Sequence, residues 1–189
     1  RVADIDDLDL AAAGVQRTPK GVAVDQHLQS VTNPIVYAAG DAADGGGLPL
    51  TAVAVTHGET IAHNLLDQGH QRSVDYTGLA SIVYTIPALG MTGLTQAQAR
   101  ERGIAFTVRA GDSTEWYSSR RVRARCSGYS LLVEDDTKRI IGAHALGPHS
   151  EELINVLSLA IRERIPADRL GGVLFGYPTA SSDLTYMVE

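Results

Sequence analysis

An apolar run that closes on Gly-Asp constrains this chain more than any other feature of its sequence. Residues 33–41 read Asn-Pro-Ile-Val-Tyr-Ala-Ala-Gly-Asp. The apolar centre at residues 36–38 predicts a buried strand, and the carboxyl end of a buried strand is where an α/β sheet presents its ligand. Gly40 lets the backbone approach a ligand closely, and the Asp41 carboxylate accepts hydrogen bonds from ribose-type hydroxyls. The alternative is a strand followed by an ordinary Gly-Asp turn.

Two further elements are predicted around this run. Residues 21–25 form a β-branched strand after a turn at residues 18–21. Residues 51–66 form a helix with Thr51 as its N-cap, and these apolar residues lie roughly on one side of it: Val53, Ala54, Ile61, Ala62 and Leu65. The partly positive N-terminus of the helix is expected near the Gly-Asp end of the strand.

Composition indicates an ordinary globular chain. Its 189 residues are 44% apolar, which is enough for a real core. The net charge of -6 argues against a nucleic-acid or anionic-membrane partner. No apolar run approaches the length of a membrane span, and no signal peptide is recognisable. The single Cys126 cannot form an internal disulfide, and its context predicts a buried strand thiol in a reducing cytoplasm.

The second half of the chain predicts an α+β unit, an antiparallel sheet with packed helices. A polar connector at residues 67–75 places the domain boundary so that residues 1–77 and 78–189 form two domains. Strands are expected at residues 82–85, 89–94, 104–110, 123–134 and 139–146, the last two as a hairpin. A polar loop is expected at residues 111–121.

Helices in this half carry clear signals. Thr95 and Gln98 form a capping-box pattern for a helix at residues 96–102, which Gly103 ends as a left-handed cap. After Gly147-Pro148, apolar residues recur at the spacing of one helix face: Leu153, Ile154, Leu157, Ala160 and Ile161. A short helix from Pro166 to Leu170 follows.

The sequence resembles a known family. Its Pro-Ile-Val-Tyr-Ala-Ala-Gly-Asp run, followed by Leu-Pro-Leu-Thr-Ala at residues 48–52 and a helix, is similar to the second flavin-binding motif of the pyridine nucleotide-disulfide oxidoreductases. The resemblance extends from about Asp9 to Met187 and includes the family's C-terminal dimerisation domain. It implies that a remnant of the FAD-binding domain precedes that dimerisation domain. The family's first Gly-x-Gly-x-x-Gly loop and its redox-active cysteine pair are absent from these residues, so the resemblance implies the C-terminal portion of a longer polypeptide.

The resemblance also implies cofactor contacts. The matching Asp in the family, here Asp41, hydrogen-bonds the ribityl or phosphate part of FAD. The matching Thr, here Thr51, lies near the isoalloxazine ring at a helix N-terminus. Gly40 and Ala52, which adjoin them, are the other cofactor-binding candidates. A turn Asp and a capping Thr are the purely structural alternatives.

The chain departs from the family at residues 177–182. The family has His-Pro-Thr-x-x-Glu there, and its His crosses the dimer to handle a thiol proton. This sequence has Tyr177 in place of the His and Ser182 in place of the Glu, with Asp183 one residue later. A Tyr titrates near pH 10, so Tyr177 cannot shuttle that proton in the ordinary way, although its phenol can donate a hydrogen bond to a thiolate. The alternative is a core or interface Tyr without a catalytic role.

The function implied is an FAD- and NAD(P)H-dependent oxidoreductase. Hydride passes from the nicotinamide through FAD to a disulfide or another small-molecule acceptor in the full-length protein, and the partner is a second copy of the chain. The isolated segment is expected to be inactive. The competing interpretation is a non-catalytic homodimeric assembly module. No metal site is predicted, because His144/His149 and His57/His63 lack the ligands to complete a set.

Overall fold

The chain divides into two units, Arg1–Tyr76 and Thr77–Glu189. The computed structural model describes residues 2–67 and 69–189. None of the helices in these described ranges has the length and hydropathy needed to cross a bilayer.

Short strands and one long helix make up the first unit. Strand β1 (Arg17–Thr18) pairs antiparallel with β2 (Gly21–Ala23), which pairs in parallel with β3 (Ala43–Asp44). Helix α1 (Thr51–Leu66) follows. Apolar side chains around the strands form a small core: Ala3, Ile5, Val15, Val22 and Ala38. Strand β2 confirms the first three residues of the predicted strand, whereas β3 was not predicted.

The prediction of a buried strand at residues 36–38 is wrong. This run makes one isolated bridge, between Tyr37 and Gln29, and of its three residues only Ala38 is buried. The Ser30 N–H donates to the Val36 carbonyl at 2.8 Å, and the Ala38 N–H donates to the Leu28 carbonyl at 3.1 Å. The run therefore folds back on the residues just before it, and this local pairing takes the place of a strand in the parallel sheet.

Of the five residues predicted for the apolar face of α1, Val53 alone is buried. The residues of this helix that are buried are Val53, His57, Thr60 and Asn64. Leu65 is 54% exposed. Two of the three polar residues on the buried face have backbone partners. The His57 Nδ1 accepts from the Gly40 N–H, and the Asn64 amide donates to the Arg72 carbonyl at 2.9 Å and accepts from the Arg72 N–H at 2.7 Å. Thr51 is not the N-cap; that position belongs to Leu50, and no side chain caps the helix.

The second unit is an antiparallel sheet covered by helices. Its strands are β4 (Ala80–Val83), β5 (Leu89–Gly93), β6 (Phe106–Asp112), β7 (Gly128–Glu134) and β8 (Ile140–Leu146), in the spatial order β4-β5-β8-β7-β6. Its helices are α2 (Gln96–Glu101), α3 (Tyr117–Arg120), α4 (Ser150–Arg162), α5 (Ala167–Gly171) and α6 (Leu184–Met187). Every strand pair is antiparallel, which confirms the α+β prediction.

Local signals in this unit are confirmed by the geometry. The Gln98 N–H donates to the Thr95 hydroxyl at 3.3 Å, and the Thr95 N–H donates to the Gln98 side chain at 2.9 Å, which completes the capping box. Gly103 follows with a φ of +67°, in the left-handed region. Strands β7 and β8 form the predicted hairpin, with Leu131 opposite Ala143.

The core of this unit lies between α4 and the sheet. The predicted helix face is buried at Leu153, Ile154, Leu157 and Ala160, all at most 5% exposed. It packs in one cluster with these strand residues: Leu131, Val133, Ile140, Ala143 and Ala145. Burial of the Val, Leu and Ile side chains in this cluster stabilises the fold by about 1.5–3 kcal/mol each.

Cys126 is not a buried strand thiol. It is exposed and precedes β7, which begins at Gly128. The regular ladder of β7 begins at Gly128, which pairs with Asp112 at the end of β6 and with Leu146 at the end of β8. The predicted loop at residues 111–121 also differs, since it contains the short helix α3.

Candidate functional site

A small cleft in the first unit contains two of the predicted site residues. Its volume is about 160 Å³, and Gly40 and Asp41 both line it. The other lining residues are Val2, Ala3, Pro19, Lys20, Ala43, Asp44, Gly47, Leu48, Pro49, Val53 and His57. Thr51 and Ala52 are exposed and do not line the cleft, although Pro49 and Val53 on either side of them do.

Gly40 begins a single 3-10 turn, Gly40–Ala42. Its φ is +57°, and a Cβ at this position would lie 3.0 Å from the Cβ of Ala54 on α1. Both observations favour glycine, since side chains rarely adopt this conformation and the helix leaves little room. The close neighbour of Gly40 is therefore α1, and the glycine fixes where the following Asp41 emerges.

His57 ties this turn to the helix. Its Nδ1 accepts from the Gly40 N–H at 3.0 Å, and its Nε2 lies 2.7 Å from the Tyr76 hydroxyl. Because Nδ1 is an acceptor, the proton of the neutral ring is on Nε2, which donates to the Tyr76 oxygen. The side chain is 1% exposed, and burial lowers the pKa of His57 and raises the pKa of Tyr76. The imidazole is thus held neutral in one tautomer.

The role of His57 was missed by sequence reasoning, which considered this residue only as a metal ligand. The available signal was its register, because His57 lies four residues after Val53 and seven before Asn64 on one face of the helix. Among the residues that the structure describes, no group of three His, Cys, Asp or Glu side chains could hold a metal ion.

The cleft is too small to enclose a whole nucleotide cofactor. Sites for complete small-molecule ligands usually enclose about 300–1,000 Å³, well above the volume here. Two acidic residues, Asp41 and Asp44, and one basic residue, Lys20, are among the lining residues, and the Asp44 carboxylate accepts from the Thr18 hydroxyl at 2.7 Å. This donor set fits hydroxyl groups such as those of a ribityl chain better than a phosphate. The N-terminus of α1, uncapped by any side chain, adds amide donors and a partial positive charge beside it.

Tyr177, in the second unit, lies on the surface. Its side chain is 72% exposed, and its ring stacks on that of Tyr117 from α3, with centroids 6.3 Å apart and planes inclined by 26°. Nothing in the sequence spacing had paired these two residues, which are 60 positions apart.

Ser182 and Asp183 both have partners other than Tyr177. The Ser182 hydroxyl donates to the Thr179 carbonyl at 2.6 Å and accepts from the Thr179 N–H at 3.1 Å. Together with the Thr179 hydroxyl this forms a capping box at a 3-10 turn, Ala180–Asp183. Asp183 accepts a hydrogen bond from the Ser118 hydroxyl. Burial raises the pKa of Asp183, and the hydrogen bond from Ser118 opposes that shift.

Sequence comparison identifies a family match. The sequence model described as "pyridine nucleotide-disulphide oxidoreductase, dimerisation domain" matches residues 79–188. An uncharacterized 19.7 kDa protein in the mercuric resistance operon of Staphylococcus aureus is 36% identical over 181 residues, which cover 96% of this chain and 100% of that protein. A mercuric reductase of Streptomyces lividans is 34% identical over 179 residues, 94% of this chain.

Structural comparison gives the same fold. The Cu(II) complex of RclA, an HOCl-induced flavoprotein disulfide reductase from Escherichia coli, superposes with a TM-score of 0.84 at 25% identity over 100% of this chain. The chain spans 42% of that protein and 37% of the S. lividans mercuric reductase, so it corresponds to well under half the length of these two relatives.

Proposed function

We propose that this chain, which belongs to the pyridine nucleotide-disulphide oxidoreductase family, supplies the flavin contacts and the dimer interface of an FAD-dependent NAD(P)H oxidoreductase. The observation that carries the proposal is the cleft in the first unit, which both Gly40 and Asp41 line. FAD, when bound, supplies the transfer of hydride equivalents from NAD(P)H to a disulfide or another acceptor.

Residues in and beside the cleft have separate tasks in this proposal. Asp41 accepts hydrogen bonds from the hydroxyls of the cofactor. Thr51 and Ala52 present the N-terminus of α1, whose partial positive charge stabilises negative charge on a reduced flavin. Gly40 and His57 fix the turn from which Asp41 projects. The small volume of the cleft supports a contact with only part of FAD, the rest being held by residues of another segment.

The second unit provides the homodimer in this proposal. Its family is a dimerisation domain, and Tyr177 of one protomer reaches the active site of its partner. There the phenol donates a hydrogen bond to a thiolate of a small-molecule or disulfide substrate. In this role Tyr177 is a hydrogen-bond donor and not a proton shuttle.

A chimera tests this function. The chain replaces the matching segment of the S. lividans mercuric reductase, and oxidation of NAD(P)H is followed with that enzyme's acceptor and with disulfides. We expect turnover that depends on added NAD(P)H and on Asp41. A folded, dimeric chimera that binds no flavin and oxidises no NAD(P)H would contradict the proposal.

One observation favours a second candidate, a homodimeric assembly module without chemistry of its own. The 19.7 kDa relative from S. aureus is matched over its whole length, so a protein of this size occurs in that family. The two candidates differ in the chimera. An assembly module preserves the dimer and loses the flavin, whereas the proposed function preserves both.

A further inference from the structure

The stacked pair of Tyr117 and Tyr177 is unusual because both rings lie on the surface. Tyr117 is 51% exposed and Tyr177 is 72% exposed. Exposed tyrosines sample several rotamers unless a neighbour restrains them. The centroid separation of 6.3 Å and the inclination of 26° are within the range in which aromatic rings attract one another. Each ring therefore restrains the other.

A second contact joins the same two segments. Ser118, the residue after Tyr117 on α3, donates a hydrogen bond to Asp183. Asp183 is partly buried, so this bond is shielded from water more than a surface one. Two successive residues of α3 thus hold the two ends of residues 177–183.

The hydroxyl of Tyr177 has no such restraint. Among the described residues no hydrogen bond reaches it, and Ser182, which stands where the family has Glu, is committed to its own turn. Stacking fixes the plane of the Tyr177 ring, while the hydroxyl donor stays available to an incoming group.

We propose that Tyr117 is a positioning residue for Tyr177, setting the plane of its ring by stacking. The inference rests on the proposed function of Tyr177 at the partner's active site. In the family pattern a carboxylate orients a histidine by a hydrogen bond. Here an aromatic face orients a phenol, which leaves the hydroxyl unbonded and able to donate to a thiol or thiolate.

NMR of the full 189-residue chain tests this without a cofactor. We expect nuclear Overhauser contacts between the two rings in the unmodified protein. In Tyr117→Leu the Tyr177 ring signals move to the positions of an unstacked tyrosine, as other rotamers gain about two- to tenfold in population. Tyr117→Phe keeps the stack and leaves those signals in place. The matched control is Tyr84→Leu, at a residue 79% exposed that has no ring partner among the described residues.

Two outcomes would overturn the inference. One is the absence of ring contacts in the unmodified protein, a result that no unfolded variant can obscure. The other is a Tyr177 signal that Tyr117→Leu leaves unchanged or that Tyr117→Phe alters equally. Either result would leave the flavin proposal standing, because that proposal is tested separately by the chimera.

Discussion

The Nδ1 of His57 accepts a hydrogen bond from the N–H of Gly40 at 3.0 Å, inside the first unit. This one contact joins the middle of α1 to the turn that carries Asp41. The candidate flavin contact therefore depends on a buried, neutral imidazole, and two predictions follow from its geometry.

Protonation of His57 is expected to destabilise the first unit. Burial lowers the pKa of His57 below the ordinary value of 6.5, so the unfolded chain binds the proton more tightly than the folded one. The stabilisation is complete above about pH 6.5 and is lost as the pH falls below it toward the folded pKa. A proton on Nδ1 would face the Gly40 N–H, and Tyr76 lies on the other side of the ring. The charged residues that line the same cleft are Lys20, Asp41 and Asp44.

Urea denaturation between pH 5 and 8 measures this effect, with His57→Asn as the matched control. The Asn side chain retains an acceptor for Gly40 but does not titrate, so the variant should lose part of the pH dependence. Burial also lowers the pKa of His144, so only the difference between the two proteins reports on His57. Identical pH profiles would show that His57 does not carry the effect.

Replacement of Gly40 should destabilise the chain through both conformation and packing. Gly40→Ala places a Cβ at a φ of +57° and 3.0 Å from Ala54. Gly14→Ala is the control, since Gly14 has a φ of +65° and a Cβ there would have no atom within 4 Å. We expect a cost of about 1 kcal/mol for the left-handed conformation at either site and a further cost at Gly40 alone. Equal losses of unfolding free energy in the two variants would mean that Ala54 on α1 does not restrict the space at Gly40.

The contrast between the two units shows what the sequence could predict. In the second unit the apolar face of α4 and the Thr95 capping box were predicted correctly, because both depend on spacing within one element. In the first unit the buried face of α1 was not, because its polar side chains pair with backbone groups outside the helix. The Gly40 N–H donates to His57, and the Arg72 N–H donates to Asn64.

The candidate site likewise contains residues that the sequence could predict and contacts that it could not. Gly40 and Asp41 could be named from the Gly-Asp motif alone, and the structure places both in one cleft. The stacking of Tyr117 on Tyr177 could not, since no periodicity links residues 60 positions apart and their contact depends on where α3 packs. For the same reason, the commitment of Ser182 to Thr179 became visible only in three dimensions.

The chain is expected to form a two-fold dimer through residues 77–189. The family assignment of residues 79–188 to a dimerisation domain is the basis for this expectation. Light scattering at micromolar concentration should give twice the monomer mass for the whole chain. A strictly monomeric mass across that range would contradict it.

Changes at Tyr177 and Ser182 are expected to be coupled in the chimera. Tyr177→His alone should confer little reduction of glutathione disulfide, because Ser182 is bonded to Thr179 and offers no carboxylate to orient the imidazole. Ser182→Glu supplies one and remains compatible with the capping box of Thr179. The double variant should then gain more glutathione disulfide turnover than the two single variants together, with a coupling energy of about 0.5–3 kcal/mol.

A double-mutant cycle on NAD(P)H oxidation measures this coupling. Strictly additive effects would refute the pairing of positions 177 and 182. High turnover of glutathione disulfide with Tyr177 intact would refute the premise that the proton relay is missing.

The flavin content of purified proteins shows whether this chain contributes contacts to FAD. The free chain should be colourless, since its cleft of about 160 Å³ can hold only part of FAD. The chimera should be yellow, with close to one flavin per protomer. Asp41→Ala in the chimera should weaken flavin binding about tenfold or more, as expected for loss of hydrogen bonds to a charged group, while the exposed control Asp7→Ala should not. Equal flavin retention by the two variants, or a colourless chimera that is folded and dimeric, would contradict the proposed flavin contact.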